Sequence, residues 1–404
     1  MIRQLALIGA PTLAIIASIG CSTVDAQRRP DPLFGVPKGI DQLAMFEPKP
    51  DGRVVRIEYQ CTDAVLNAVV LDTGPSLRQW MPSPAPIPGT RIMGQDSSPF
   101  RLEGNKVRFV ELLDGHRAAI ASCLEGLVAI GGEVDIPRMP RDEQLAYWMN
   151  LHNMIVINEL AKAYPVSKPR ELEVGAQGLS LHSAPLVEVS GVRLSLNDIR
   201  QGIVFRYWRD PRVMYGFFTG ELASPSIRTR AWVAASLSKD LDANAREFVN
   251  SLRGVREVRN GVLIVSPLYE DARDALFPNW PTDLRAHLRA FAGKDVEGAL
   301  ERTNRITLGR YEARTADLVG GYVPAIMAPM VAIAPNSSSH NIVNKGNGHV
   351  VFREYNHPAF AVALESVARK KAEIEFRQRK KEVVEIQDAP FEALPVKAPP
   401  KPIE

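Results

Sequence analysis

The stretch "QLAYWMNLHNMIVINELAKAY", residues 144–164, decides how this chain reads. Placed on a helix, its apolar residues cover nearly every direction, which marks a central helix rather than a surface one. Yet it carries Asn150, His152, Asn153 and Asn158. Trp148 and His152 stand four apart on one face, and Asn150 and Asn153 three apart on the next. A buried amide needs hydrogen-bond partners. Asn150 and Asn153 are therefore expected to bond to the backbone of neighbouring loops; the functional alternative sets them and His152 along a cleft. Asp142 sits where an N-cap belongs, and Pro165 stops the helix. No second His, Asp or Cys stands at ligand spacing within it, so it does not read as a metal site.

Outward from this helix the pattern is α+β, a mostly helical domain on a small mixed or antiparallel sheet. Residues 105–131 open as a strand and become helical. "VEVSGVRLS" reads as a hairpin turning at Ser190–Gly191. "SLNDIRQGIV" has the Ser195-x-x-Asp198 spacing of a capped helix. An amphipathic helix follows over 236–255, then a hairpin through Asn260–Gly261 and a short helix in "PTDLRAHLRAFAG". Asp210 and Arg212 read as fixing the turn before a strand at 213–218. The proline-rich stretch 81–91 reads as an extended loop. The domain is expected over 54–320, preceded by a linker or arm at 27–53. A C-terminal extension at 321–385 carries a long charged helix, and 386–404 is a proline-rich tail with little to bury.

The 404 residues are 45% hydrophobic, enough for a sizeable core. A net charge of +3 lacks the dense basic patch that nucleic acid needs. The clearest cationic run is local, "RKKAEIEFRQRKK" at 369–381. His340, His349 and His357 lie close in sequence, but the loop around them lacks a carboxylate before Glu354, so no metal is assigned. "GNG" at 346–348 lacks the spacing of a dinucleotide fingerprint, and no cofactor is implied.

The N-terminus sets the compartment. Arg3 precedes an apolar run from Leu5 to Ile19, the pattern of a signal peptide over 1–26. Cleavage after Ala26 would release the chain; "SIGC" is similar to a lipoprotein signal, with Cys21 as the lipidation candidate. Gly9, Pro11 and Gly20 make a transmembrane span a poorer reading, and no later segment looks like one. Periplasmic or secreted placement follows, with a tether through Cys21 as the variant. Cys61 and Cys123 form one disulfide if the compartment is oxidising, or are two unrelated thiols.

Four ordered segments carry a resemblance. "DEQLAYWMNLHNMIVINEL" resembles the "EQLAFWINLYNALTI" hallmark of the family called domain of unknown function 547. "RLSLNDIRQGIVFR" is similar to its "SLDDIEHGILR", "DPRVMYGFFTGELASPSI" to its "DPRIHFALNCGARSCPPL", and "LDANAREFVNS" to its "LDEAARAFLN". The resemblance implies a papain- or transglutaminase-like fold and no established activity. It places the family's paired cysteines on Thr219 and Ser224, and its Tyr on His152. Asn150, Asn153, Asp210 and Arg212 match.

Two functions follow as expectations. The first is a non-catalytic exported domain that binds another envelope protein or the membrane surface. The second is a hydrolase or acyl-transfer enzyme in which Ser224 attacks, His152 is the base and Asn153 orients it. Pro225 counts against the second, because it removes an N–H that an oxyanion hole would use.

Overall fold

The computed structural model describes residues 32–37, 39–83, 91–93, 96–258, 261–322, 325–329, 342–345, 349–352 and 358–388. The stretch read as a signal peptide with Cys21, the tail beyond 388, Asn260, His340 and His357 lie outside them.

Helix α1 spans Gln60–Val69, α2 Asp114–Glu133 and α3 Arg141–Ala163. The helix α2 packs against both α1 and α3, and a disulfide between Cys61 on α1 and Cys123 on α2 joins the first two, with the Cα atoms 5.7 Å apart. The helix α3 is the opening stretch, and it is buried on every side from Glu143 to Asn158. Pro140, not Asp142, takes its N-cap position. Asp142 and Glu143 instead fill the first turn, where carboxylates meet the positive end of the helix dipole.

Later helices are α4 at Leu237–Val249, α5 at Thr282–Phe291, α6 at Lys294–Arg302 and α7 at Pro358–Asp388. The fold is α+β, but several small sheets replace the single one expected. Val255–Val258 and Val262–Val265 pair antiparallel, and Arg305–Leu308 joins the second strand in parallel. Val187–Val189 and Val192–Leu194 form the expected hairpin, with Ser190 and Gly191 both at positive φ. Ser195 and Asp198 form a reciprocal cap at 2.8 and 3.1 Å. The segment it opens, Asp198–Phe205, is π-helical.

Three expectations change. The stretch read as a strand at 213–218 is a 3₁₀ helix over Pro211–Gly216, capped by the Asp210 side chain, which accepts from the Arg212 N–H. The arm at 27–53 is not merely surface, because Phe34, Leu43 and Phe46 are buried in the main core. The C-terminal extension is tied in as well. Ala325–Pro329 pairs with Arg91–Met93 and with His349–Phe352, and Phe360 of α7 packs against Leu318 and Val319. Lys370 on α7 is buried and donates to the Leu102 and Gly74 carbonyls. Its neighbours Arg369, Arg377 and Arg379 pair with Glu365, Glu373 and Glu375, one turn away. Much of the basic run is thus neutralised along the helix itself.

The Cys61–Cys123 bridge closes 62 residues of chain. Replacing both cysteines by serine should lower the unfolding free energy by about 2–4 kcal/mol. Urea denaturation of wild type and variant checks this, and reductant should shift the wild-type midpoint only.

Candidate functional site

The amides of α3 work as pairs of backbone hydrogen bonds. Asn150 donates to the Trp232 carbonyl at 2.8 Å and accepts from the Trp232 N–H at 2.9 Å. Asn153 donates to the Gly216 carbonyl and accepts from the Phe218 N–H, both at 2.9 Å. Each side chain completes a segment that has no neighbouring strand to pair with. That is why 213–218 needs no sheet. The crevice beside the two amides, lined also by Thr62 and Met154, is too narrow for a water molecule. Both amides are thus bonded to backbone of neighbouring segments, as buried amides require.

Asn153 also reaches the candidate base. His152 Nδ1 lies 3.2 Å from Asn153 Oδ1. A carbonyl oxygen only accepts, so Nδ1 carries the proton and Nε2 presents a lone pair. His152 is fully buried with its ring against Phe217, and Nε2 has no partner among the described residues. Burial, helped by the charge of Arg200, pushes its pKa down to about 3.

Thr219 and Ser224 are each 1% exposed. The Ser224 hydroxyl donates to the Pro225 carbonyl at 3.0 Å, and the Ser224 carbonyl accepts from Arg253 at 2.6 Å. Thr219 Oγ1 meets the Tyr311 hydroxyl at 3.2 Å. Between them Gly220 has φ +85°, and a Cβ there would come within 2.5 Å of Leu160. The turn is fixed by α3, and neither hydroxyl is presented to a substrate. Asp210 and Arg212 lie apart, at the surface, where Arg212 also pairs with Asp242 at 2.8 Å.

The structure adds residues that the sequence did not single out. His182 is 1% exposed, and neither ring nitrogen has a partner among the described residues. Burial lowers its pKa well below the usual imidazole value, with Arg200, His152 and Arg170 adding to the effect. Arg200 pairs with Asp271 at 3.0 Å, both almost fully buried. Arg170 clamps the fully buried Glu221 through Nε at 3.0 Å and Nη2 at 3.3 Å. One signal was legible: "SLDDIEHGILR" has Glu where this chain has Arg200. Nothing in the letters tied that change to His182. Lys106 is a further buried titratable group. Burial and Arg253 push it down to about 7, and its Nζ donates to the Glu103 carbonyl. An open cavity of about 670 Å³ lies elsewhere, beside Arg78, Trp80, Arg256 and Lys294. Among the described residues no group of three His, Cys, Asp or Glu is placed to hold a metal.

Residues 136–249 match the family model "Protein of unknown function, DUF547". This is a DUF547 segment. It holds α3, both amide clamps, the π-helical segment and the Thr219–Ser224 turn. No curated protein and no solved structure matches the chain.

Two expectations follow for this DUF547 frame. Asn150→Ala or Asn153→Ala leaves a buried N–H and a buried carbonyl unpaired, so each should cost roughly 2–4 kcal/mol in denaturant unfolding. The imidazoles give a pH signature. With folded pKa values depressed to about 3 for His152 and about 4 for His287, and well below normal for His182, only the unfolded chain takes up these protons below pH ~6.5. Stability from these groups is full above that pH and falls as pH drops. Asp317 opposes this. Burial raises it to about 6, so the folded state keeps a proton that the unfolded state loses. Comparing wild type with His182→Asn isolates one imidazole. The variant should lose up to about 1.4 kcal/mol less per pH unit between pH 6 and 5.

Proposed function

We propose that the chain is exported to the cell envelope and acts there as a non-catalytic binding domain on a papain- or transglutaminase-like scaffold. The observation that carries the reading is the closure of the two family positions. Ser224 Oγ is committed to the Pro225 carbonyl, and Thr219 to Tyr311, both out of reach of solvent. A hydroxyl nucleophile needs a base at hydrogen-bond distance and an open face for substrate. His152 spends Nδ1 on Asn153 and is buried against Phe217.

Export is supported by the signal-peptide pattern together with the Cys61–Cys123 bridge, since disulfides persist mainly in oxidising compartments. None of the described helices is long and apolar enough to cross a membrane. The partner we favour is another envelope protein rather than anionic headgroups. Arg369, Arg377 and Arg379 of α7 pair with glutamates of the same helix, which weakens attraction to a charged surface.

Expressed with its N-terminus intact in a bacterium, the chain should fractionate with the envelope or periplasm. Mass spectrometry should find a mature start at Gln27, or a diacylglyceryl Cys21 in the tethered form; a cytoplasmic chain starting at Met1 sinks the export reading. A fluorophosphonate probe should leave wild type as unlabelled as Ser224→Ala. Labelling that disappears in Ser224→Ala would restore the hydrolase.

A further inference from the structure

The strap Leu33–Gly35 places one aromatic ring over the buried imidazole–guanidinium cluster. The Phe34 ring centroid is 4.5 Å from that of His182 and 5.9 Å from that of Tyr311. The Arg200 guanidinium carbon lies 4.5 Å from the ring centre and that of Arg170 lies 5.6 Å from it. Cations over a ring face attract it through the ring quadrupole. The backbone is read as well. The Phe34 carbonyl accepts from Asn197 Nδ2 at 2.5 Å. Gly35 follows at φ +84°, where a Cβ would lie 3.2 Å from Ser183 Oγ. An aromatic residue followed by glycine is therefore held by side chain and main chain together, as a peptide ligand would be.

The fit is incomplete. Phe34 brings no polar atom, yet both nitrogens of His182, Nε2 of His152 and Nε of Arg200 have no hydrogen-bond partner among the described residues. Buried polar atoms without partners are rare in native proteins and costly. On His182, whose ring lies against Phe34, they are one N–H donor and one lone-pair acceptor, because a neutral imidazole carries one of each. A phenolic hydroxyl supplies one of each.

We propose that this cage is a binding site for a hydroxyl-bearing aromatic side chain on an extended peptide, and that the chain's own Leu33–Gly35 strap fills it in the absence of that ligand. The tether gives the strap a high effective concentration, so a free peptide competes poorly with it in the wild type. The inference deepens the binding reading above by naming a site and a ligand class, and it does not depend on export. The two fail separately: probe labelling at Ser224 would overturn the non-catalytic reading and leave the cage untouched.

The test uses the full chain carrying Phe34→Ala and two fluorescent hexapeptides, PLFGVP and PLYGVP, titrated by anisotropy. The variant should bind both. The tyrosyl peptide should bind ~10-fold tighter, the worth of about one newly satisfied buried hydrogen bond. Wild type should bind each far more weakly. Adding His182→Ala should erase the preference for tyrosine. Gly35→Val strains the strap at its positive φ while leaving the Phe34 ring in the chain, and it should also raise peptide affinity above wild type, which covers the case in which Phe34→Ala folds poorly. Equal affinity for the two peptides, or no capture by either variant, overturns the proposal.

Discussion

Everything around α3 depends on side-chain amides standing in for a missing strand. Gly216, Phe218 and Trp232 belong to irregular segments that cross a buried helix, where their N–H and carbonyl groups would otherwise go unpaired. A buried peptide group without a partner costs free energy comparable to a lost hydrogen bond. Asn150 and Asn153 each supply a donor and an acceptor on one rigid planar group, so one residue satisfies two backbone groups. That answers why so apolar a helix carries so many polar side chains. It also explains the irregular backbone over 211–233: once α3 provides the partners, the chain has no need of a sheet there.

The same constraint organises the polar layer beside the helix. Asn153 Oδ1 takes both the Phe218 N–H and the His152 Nδ1–H, which fixes the imidazole tautomer and turns its free nitrogen away from the amide. The turn held by Asn153 leads directly to Thr219 and Tyr311, and from there to Glu221 and Arg170. Buried charges in this layer come in pairs, Arg200 with Asp271 and Arg170 with Glu221, as desolvation demands. The imidazoles stay neutral because the neighbouring guanidinium groups and the lack of water both disfavour a further positive charge. What results is a set of chemically able side chains sealed under an aromatic plug.

Much of the local structure was legible because its causes are local. Ser190–Gly191 turns a hairpin since glycine tolerates positive φ and serine follows it there. Ser195 and Asp198 cap a helical segment across three residues. The misreadings have local causes too. Asp142 had the right chemistry for a cap, but Pro140 takes the cap position two residues earlier. "VMYGFF" looks like a strand by composition, yet the Asp210 cap and the Asn153 clamp make it a 3₁₀ turn. Candidate site residues were half legible. The amides announced themselves as buried polar groups on an apolar helix, whereas His182, Arg200 and Phe34 carried no spacing that joined them.

The sequence by itself determined the central helix, the amides that must be satisfied within it, the α+β character and the likeness to one family. Each follows from periodicity, capping or residue type within a few turns of chain. Only the tertiary structure decided which backbone groups those amides bind, that Cys61 faces Cys123, that Ser224 is closed off and that Phe34 covers His182. These depend on residues scores of positions apart meeting in space, which no local preference encodes. Burial then sets their protonation, because the cost of a charge depends on what surrounds it rather than on its neighbours in the chain.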